Sequence, residues 1–287
     1  MKSTALEILS EPLTLLLLLT ALSLIVFAPT FHYHQFGEAT RMARDAGLSA
    51  LFTCGSILAV FSTIRSFRRE IESGTREMAL AHPVSEVGFF LSKTAGACCA
   101  VIVFSLILFS TSVTIVEGAR VAGELQRTTG SIATVWGPCV ASGTAIVLLP
   151  LVIGALVNRF RRGRFVLTAI KTALVLACLS AVVFSVRISP DSVVRLFPAG
   201  ILIVAALFFA LFVAAATSSR FAANTAATIT AFVVLAALPF IGNYYLANAL
   251  SRGGTIGFGY LFAALAALLP AYAAVLIIGA ALCKERE

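Results

Sequence analysis

The chain is 287 residues long, 60% hydrophobic and only 12% charged, with a mean hydropathy of +1.01, whereas soluble globular domains carry about 25% charged residues. Eight apolar spans of roughly 20 residues would take about 160 residues and leave no stretch of about 100 for a separate soluble domain, so 1–287 reads as a single transmembrane domain. The net charge of +8 sits in short Lys and Arg clusters between apolar runs, which assigns it to membrane topology and excludes nucleic acid as its partner.

In chain order, residues 1–11 open with an amphipathic segment, Ala5-Leu6-Glu7-Ile8-Leu9. Uncharged gaps follow near Pro12–Phe31, Ala46–Ile64, Val87–Val116, Val135–Val157, Phe165–Val186, Leu196–Thr217, Phe221–Ile241 and Thr255–Cys283. A bilayer core about 30 Å thick demands such gaps of a spanning helix. Continuous Leu, Ala, Val and Ile runs exclude a barrel, whose strands alternate apolar and polar residues. The first gap is followed by Phe27-Ala28-Pro29-Thr30-Phe31, which offers no small-x-small cleavage site, so it is read as an uncleaved helix. Carboxylates are expected in none of the eight gaps, and only Lys93 and Lys171 place a charge inside one.

With the N-terminus in the cytoplasm, 14 of the 21 Lys and Arg residues fall inside and 7 outside. That bias predicts both termini inside. Lys171 lies seven residues past Arg164, about 10 Å along a helix, where a snorkelling side chain reaches the interface; the other reading makes it a charge on a transport pathway. His32, His34 and Glu38 form an HxH with a carboxylate four residues on. A further protein ligand for a metal is missing, and Phe31, Tyr33 and Phe36 suit an interfacial loop. Five of the six cysteines lie in predicted helices without metal or CxxC spacing. Gly253 and Gly257 make a GxxxG before Pro270, a pattern suited to close helix packing and a kink.

The longest inner connection, RSFRREIESGTREMALAHPVSEVGFFLSK from Arg65 to Lys93, carries the functional information. It mixes Arg65, Arg68 and Arg69 with Glu70, Glu72 and Glu77, and mixed charge favours a protein partner over lipid head groups. Gly74 permits a sharp turn, Thr75 can cap a short helix through Arg76, Met78 and Leu80, and Pro83 stops it.

Glu72-Ser73-Gly74-Thr75, Leu80, Pro83-Val84-Ser85 and Lys93 together resemble the loop after the second span in ABC-2-type permeases, the membrane subunits of type V ATP-binding-cassette exporters. The layout of residues 4–116 is similar as well. The resemblance implies an all-α polytopic helix bundle, with about eight spans here: the six-helix family core plus a further hairpin, Leu196–Ile241, which is either two full spans or re-entrant. It implies that residues 65–86 hold a coupling helix docking on an ATPase, with Glu70, Glu72, Gly74, Thr75, Arg76, Met78, Leu80 and Pro83 as the coupling residues. No cofactor and no metal are expected. The chain carries no GxxxxGK[ST] motif, so ATP hydrolysis would fall to a separate subunit, and the permease would pair with a second copy or a related chain. The alternative reading is a secondary transporter or channel using Lys171.

The charge bias yields a direct expectation. In a version lacking the native thiols, a cysteine at position 76 labels from the cytoplasmic side; labelling from the outside alone would reverse the topology.

Overall fold

The computed structural model describes residues 2–28, 39–72, 85–129, 133–161, 164–185, 190–219, 221, 223–238 and 257–284. Among these, nine helices account for the regular structure: α1 (Lys2–Leu9), α2 (Pro12–Phe27), α3 (Ala39–Glu72), α4 (Glu86–Thr129), α5 (Ala133–Arg161), α6 (Phe165–Ser185), α7 (Pro190–Ser218), α8 (Ala223–Leu238) and α9 (Phe258–Lys284). The protein is therefore an all-α polytopic membrane protein. Each of the eight apolar gaps is occupied by one helix from α2 to α9. Helix was the only option open to them, because hydrocarbon offers no hydrogen-bonding partner and the backbone must satisfy itself within each segment.

Six helices contain stretches long and apolar enough to cross a membrane: Thr40–Glu70, Glu86–Ala122, Gly143–Phe160, Phe165–Val183, Leu196–Ser218 and Phe258–Leu282. Of the other two, α2 has 16 residues, about 24 Å at 1.5 Å per residue and less than the hydrocarbon thickness, and α8 is described over 16 residues. Leu196–Ile241 was expected to form two arms of more than 20 residues. The first exceeds that as α7, with 29 residues; of the second, α8 is described over Ala223–Leu238, and the rest of that arm lies outside the described residues.

Four helices, α3, α4, α5 and α7, are longer than the gaps that announced them. The Val87–Val116 gap belongs to a 44-residue helix, α4, so Glu117 lies inside it and within the apolar stretch Glu86–Ala122. The expectation that spans contain no carboxylate fails here. The gap ended where the first charge stood, while the helix continued past it, since a buried and ion-paired Glu need not break a helix.

The chain divides into two compact units, and α3, α4 and α7 each contribute to both. One unit comprises residues 1–8, 55–102 and 201–287. Its core packs Phe67 of α3 on Phe90 of α4, ring centroids 5.8 Å apart, with Ala215 of α7 and with Leu276 and Ala280 of α9. Ile64, Ala214 and Ala226 form a second cluster, and Thr217 bonds to Thr230 at 3.1 Å to join α7 to α8. Tyr272 of α9 donates to the carbonyl of Ala205 at 2.7 Å and meets the Phe212 ring edge-on. The other unit comprises residues 9–54 and 103–200. There α6 lies along α5, α2 packs on both, and Phe109 meets Phe197 edge-on at 5.0 Å.

Gly257 has open space where a Cβ would stand, and Gly253, the other half of the GxxxG, lies outside the described residues. A different glycine makes the close approach. A Cβ on Gly279 of α9 would lie 2.7 Å from the Phe90 ring and 3.2 Å from the Ala216 Cα, and Phe90 is fully buried. Gly279→Ala is expected to destabilise the fold by about 1–3 kcal/mol through overpacking. Gly259→Ala, on the same helix with nothing within 4 Å, should leave thermal stability in detergent unchanged or slightly raised. Equal melting temperatures for the two variants would refute the packing assignment.

Candidate functional site

The connection singled out in the sequence leaves α3 and enters α4. Residues 65–72 continue α3 as helix, and Ser85 starts α4: its hydroxyl accepts the Gly88 N–H at 3.1 Å and its carbonyl accepts the Phe89 N–H at 2.9 Å. That is the N-cap geometry that a Pro-Val-Ser stop and restart calls for. Gly74, Thr75, Arg76, Met78, Leu80 and Pro83 fall in 73–84, outside the described residues, as do His32, His34, Glu38 and His82. Glu72 ends α3, and its side chain is likewise outside the description.

Both ends of the connection are fastened to each other. Lys93, two turns into α4, has a side chain only 3% exposed, and its Nζ lies 2.6 Å from Glu70 Oε2 of α3. The same ammonium donates to the Ser66 carbonyl at 2.6 Å. Ser66 and Glu70 are four residues apart and share one face of α3, so a single cation reaches both. Phe67 and Phe89 complete the enclosure, with ring centroids 5.3 and 5.8 Å from Nζ, distances at which a ring face attracts a cation. Every other route to solvation is closed, so the pair must be made within the protein.

On its outer side the clamp meets α1. Arg69 Nη1 lies 3.1 Å from Glu7 Oε1, with the arginine side chain 67% exposed, and such an exposed bridge contributes at most about 1 kcal/mol. The amphipathic reading of α1 holds: Ile8 and Leu9 are buried while Glu7 turns to this bridge. Glu70, expected among residues facing a partner, is thus occupied within the chain. The sequence reading noticed Lys93 but not its mate. The available signal was an unneutralised lysine within an apolar gap, four residues past Phe89, with an acidic residue at the end of the preceding helix.

Lys171 stands on α6 and is exposed. Exposure on an apolar helix suits a snorkelling anchor better than a pathway charge. Among the described residues no group of three or more His, Cys, Asp or Glu side chains could hold a metal ion. A crevice of about 1040 Å³ lies between α2 and α3, lined by residues such as Leu19, Ser23, Met42, Ala46 and Thr53. Two of its hydroxyls are spent on their own helices, Thr20 on the Leu16 and Leu17 carbonyls and Ser49 on that of Asp45. What the crevice offers is chiefly hydrocarbon contact.

Six apolar helices long enough to cross a membrane, with a polar clamp where a connection leaves the apolar region, suit a membrane transport subunit. The sequence profile of ABC-2 family transporter proteins matches residues 8–177, more than half of the chain and all of the clamp. The chain belongs to that family. No curated protein and no solved structure matches it significantly.

The clamp makes a quantitative expectation. Glu70→Gln leaves a buried ammonium without its counter-charge and should cost about 3 kcal/mol of stability, and Lys93→Met should cost less, because Glu70 is partly exposed and can be hydrated. The double variant Glu70→Gln/Lys93→Met should recover most of the loss. Additive losses across this cycle, measured by thermal unfolding in nanodiscs, would mean that the two groups are not coupled.

Proposed function

We propose that the chain is the permease subunit of an ATP-binding-cassette exporter powered by a separate ATPase subunit. It resides in the cytoplasmic membrane with both termini in the cytoplasm. The observation that carries this reading is the Lys93 clamp, which fixes the two ends of the 73–84 connection to each other inside the family-matched region. A short segment held at both ends on a rigid base can act as a lever; one hanging on free ends would absorb any push. In this reading residues 74–81 form the coupling helix. Leu80 and Met78 enter an apolar groove on the ATPase, Glu72 and Arg76 lie at its rim, and Gly74, Thr75 and Pro83 set where the helix starts and stops. Glu70 contributes indirectly, by holding Lys93.

The absence of a GxxxxGK[ST] motif from the sequence supports placing hydrolysis on another chain. An ATPase dimer closing on two nucleotides presents two grooves, so two permease chains, identical or related, would receive it. Closure would displace both connections together and shift the membrane helices between two states. The mixed charge of the connection and the positive-inside bias both agree with an ATPase docking on the cytoplasmic face.

Leu80→Asp places a charge in an apolar contact and should weaken docking by about 1–3 kcal/mol. Transport-linked ATP hydrolysis is expected to fall by a comparable factor, while the permease elutes and unfolds as the wild type does. Equal ATPase recovery on co-purification, together with equal transport by the two proteins, would remove the coupling-helix assignment.

A further inference from the structure

Glu117 is, after Lys93, the second buried charge of α4, within the unit formed by residues 9–54 and 103–200. The residue is 1% exposed. Its Oε2 meets Arg120 Nε one turn on at 2.8 Å, but its Oε1 is buried with no hydrogen-bond partner. A buried carboxylate oxygen is an acceptor with no donor of its own, and leaving it unmatched in an apolar setting is costly. Native structures retain few such groups, and each asks for a reason.

The surroundings supply one. Ser110, Thr114 and Glu117 are spaced i, i+4, i+7 and lie along one face of α4. Ser110 and Thr114 are buried as well. The Thr114 hydroxyl lies 3.0 Å from that of Ser180 on α6 and 3.0 Å from the Ser110 carbonyl, and Ser180 reaches the Ala177 carbonyl at 2.9 Å. Each hydroxyl has one proton, so the pair has two settings. Either Thr114 donates to Ser180 and Ser180 to Ala177, or Ser180 donates to Thr114 and Thr114 to Ser110. In both, hydroxyl lone pairs stay available on Thr114, which shares a face of α4 with the free carboxylate oxygen. On other sides of α4, Gly47 of α3 lies against Ser112, Gly143 of α5 against Ile115, and Phe197 of α7 against Phe109, while Ser105 keeps a buried hydroxyl without a partner. Thr114 is the member of this face that meets α6, through Ser180.

We infer that the Ser110–Thr114–Glu117 face of α4, with Ser180 of α6, is a binding track for a cationic amine, the group by which a transported substrate passes this part of the bundle. An ammonium matches the site on both counts. It donates to an oxygen that lacks a donor, and it carries the charge that a carboxylate shared with a single arginine Nε still attracts. A sulfonate or phosphate would meet acceptors and a like charge. The inference rests on the transport reading for its purpose, but not on the ATPase or its docking.

The test uses the full-length protein, freed of native thiols and placed in nanodiscs, with Ser110→Cys and Thr114→Cys introduced singly. Each variant is first checked for elution as one species, and Ser110→Cys serves if Thr114→Cys does not hold. Modification rates by aminoethyl, hydroxyethyl and sulfonatoethyl methanethiosulfonates are measured and normalised to those of a simple thiol in solution. The aminoethyl reagent is expected to react about ten-fold faster than the sulfonatoethyl one, with the hydroxyethyl reagent between them, and Glu117→Gln should bring the three together. Failure of all three reagents to react, equal rates for amine and hydroxyl, or a preference that survives Glu117→Gln would overturn the proposal. Because no step requires ATP or an ATPase, such a failure would leave the permease reading standing.

Discussion

An ammonium buried in a membrane helix has to be neutralised by its own protein, and Lys93 meets that demand by reaching from α4 to Glu70 and the Ser66 carbonyl on α3. Water screens little at a side chain 3% exposed, so the attraction is strong and so is the penalty for breaking it. The consequence is geometric. Two long helices whose ends would otherwise be joined only by a 12-residue connection are locked at a fixed separation and register, with Phe67, Phe89 and Phe90 packed around the lock. An apolar pair of similar size would hold the helices about as well, but it would tolerate sliding. A bidirectional contact between one cation and two oxygens on one face of α3 does not.

Many of the other polar groups follow the rule that hydrocarbon imposes, although the hydroxyls of Ser56, Thr63, Ser66 and Ser105 are buried without a partner. Hydroxyls on the long helices turn back to carbonyls of the preceding turn, as Thr94 does to Phe90, Thr111 to Ile107, Ser112 to Leu108 and Thr217 to Val213. These bonds place small polar side chains in a membrane bundle at little cost and leave close helix approach to alanine and glycine. Glu117 departs from that pattern, since it is a carboxylate 1% exposed with one oxygen left without a hydrogen-bond partner.

Much of this was legible in the amino-acid order. Eight uncharged gaps announced eight helices, Pro83-Val84-Ser85 announced the N-terminus of α4, and Ala5–Leu9 announced an amphipathic start. What escaped notice did so for physical reasons. Gaps were cut at the first charge, so Glu117 fell just outside the third, whereas a helix ends only where its hydrogen bonding fails. Lys93 was visible as a misplaced charge, but its mate lies 23 positions earlier on another helix, and pairing across that separation is set by packing rather than by any local period. The burial of Phe67 and Phe90, which closes the clamp, is equally a product of tertiary contact.

The central claim is that force enters through the connection fastened by Lys93, from an ATPase that docks on it. A photo-reactive amino acid at position 80, activated in intact cells with the adducts identified by mass spectrometry, tests that contact without assuming a substrate. The account predicts an adduct with a chain carrying a GxxxxGK[ST] motif, lost when the ATPase gene is deleted and unaffected by replacement of Lys171. Adducts with lipid alone, or with chains that lack a nucleotide-binding motif, would contradict it.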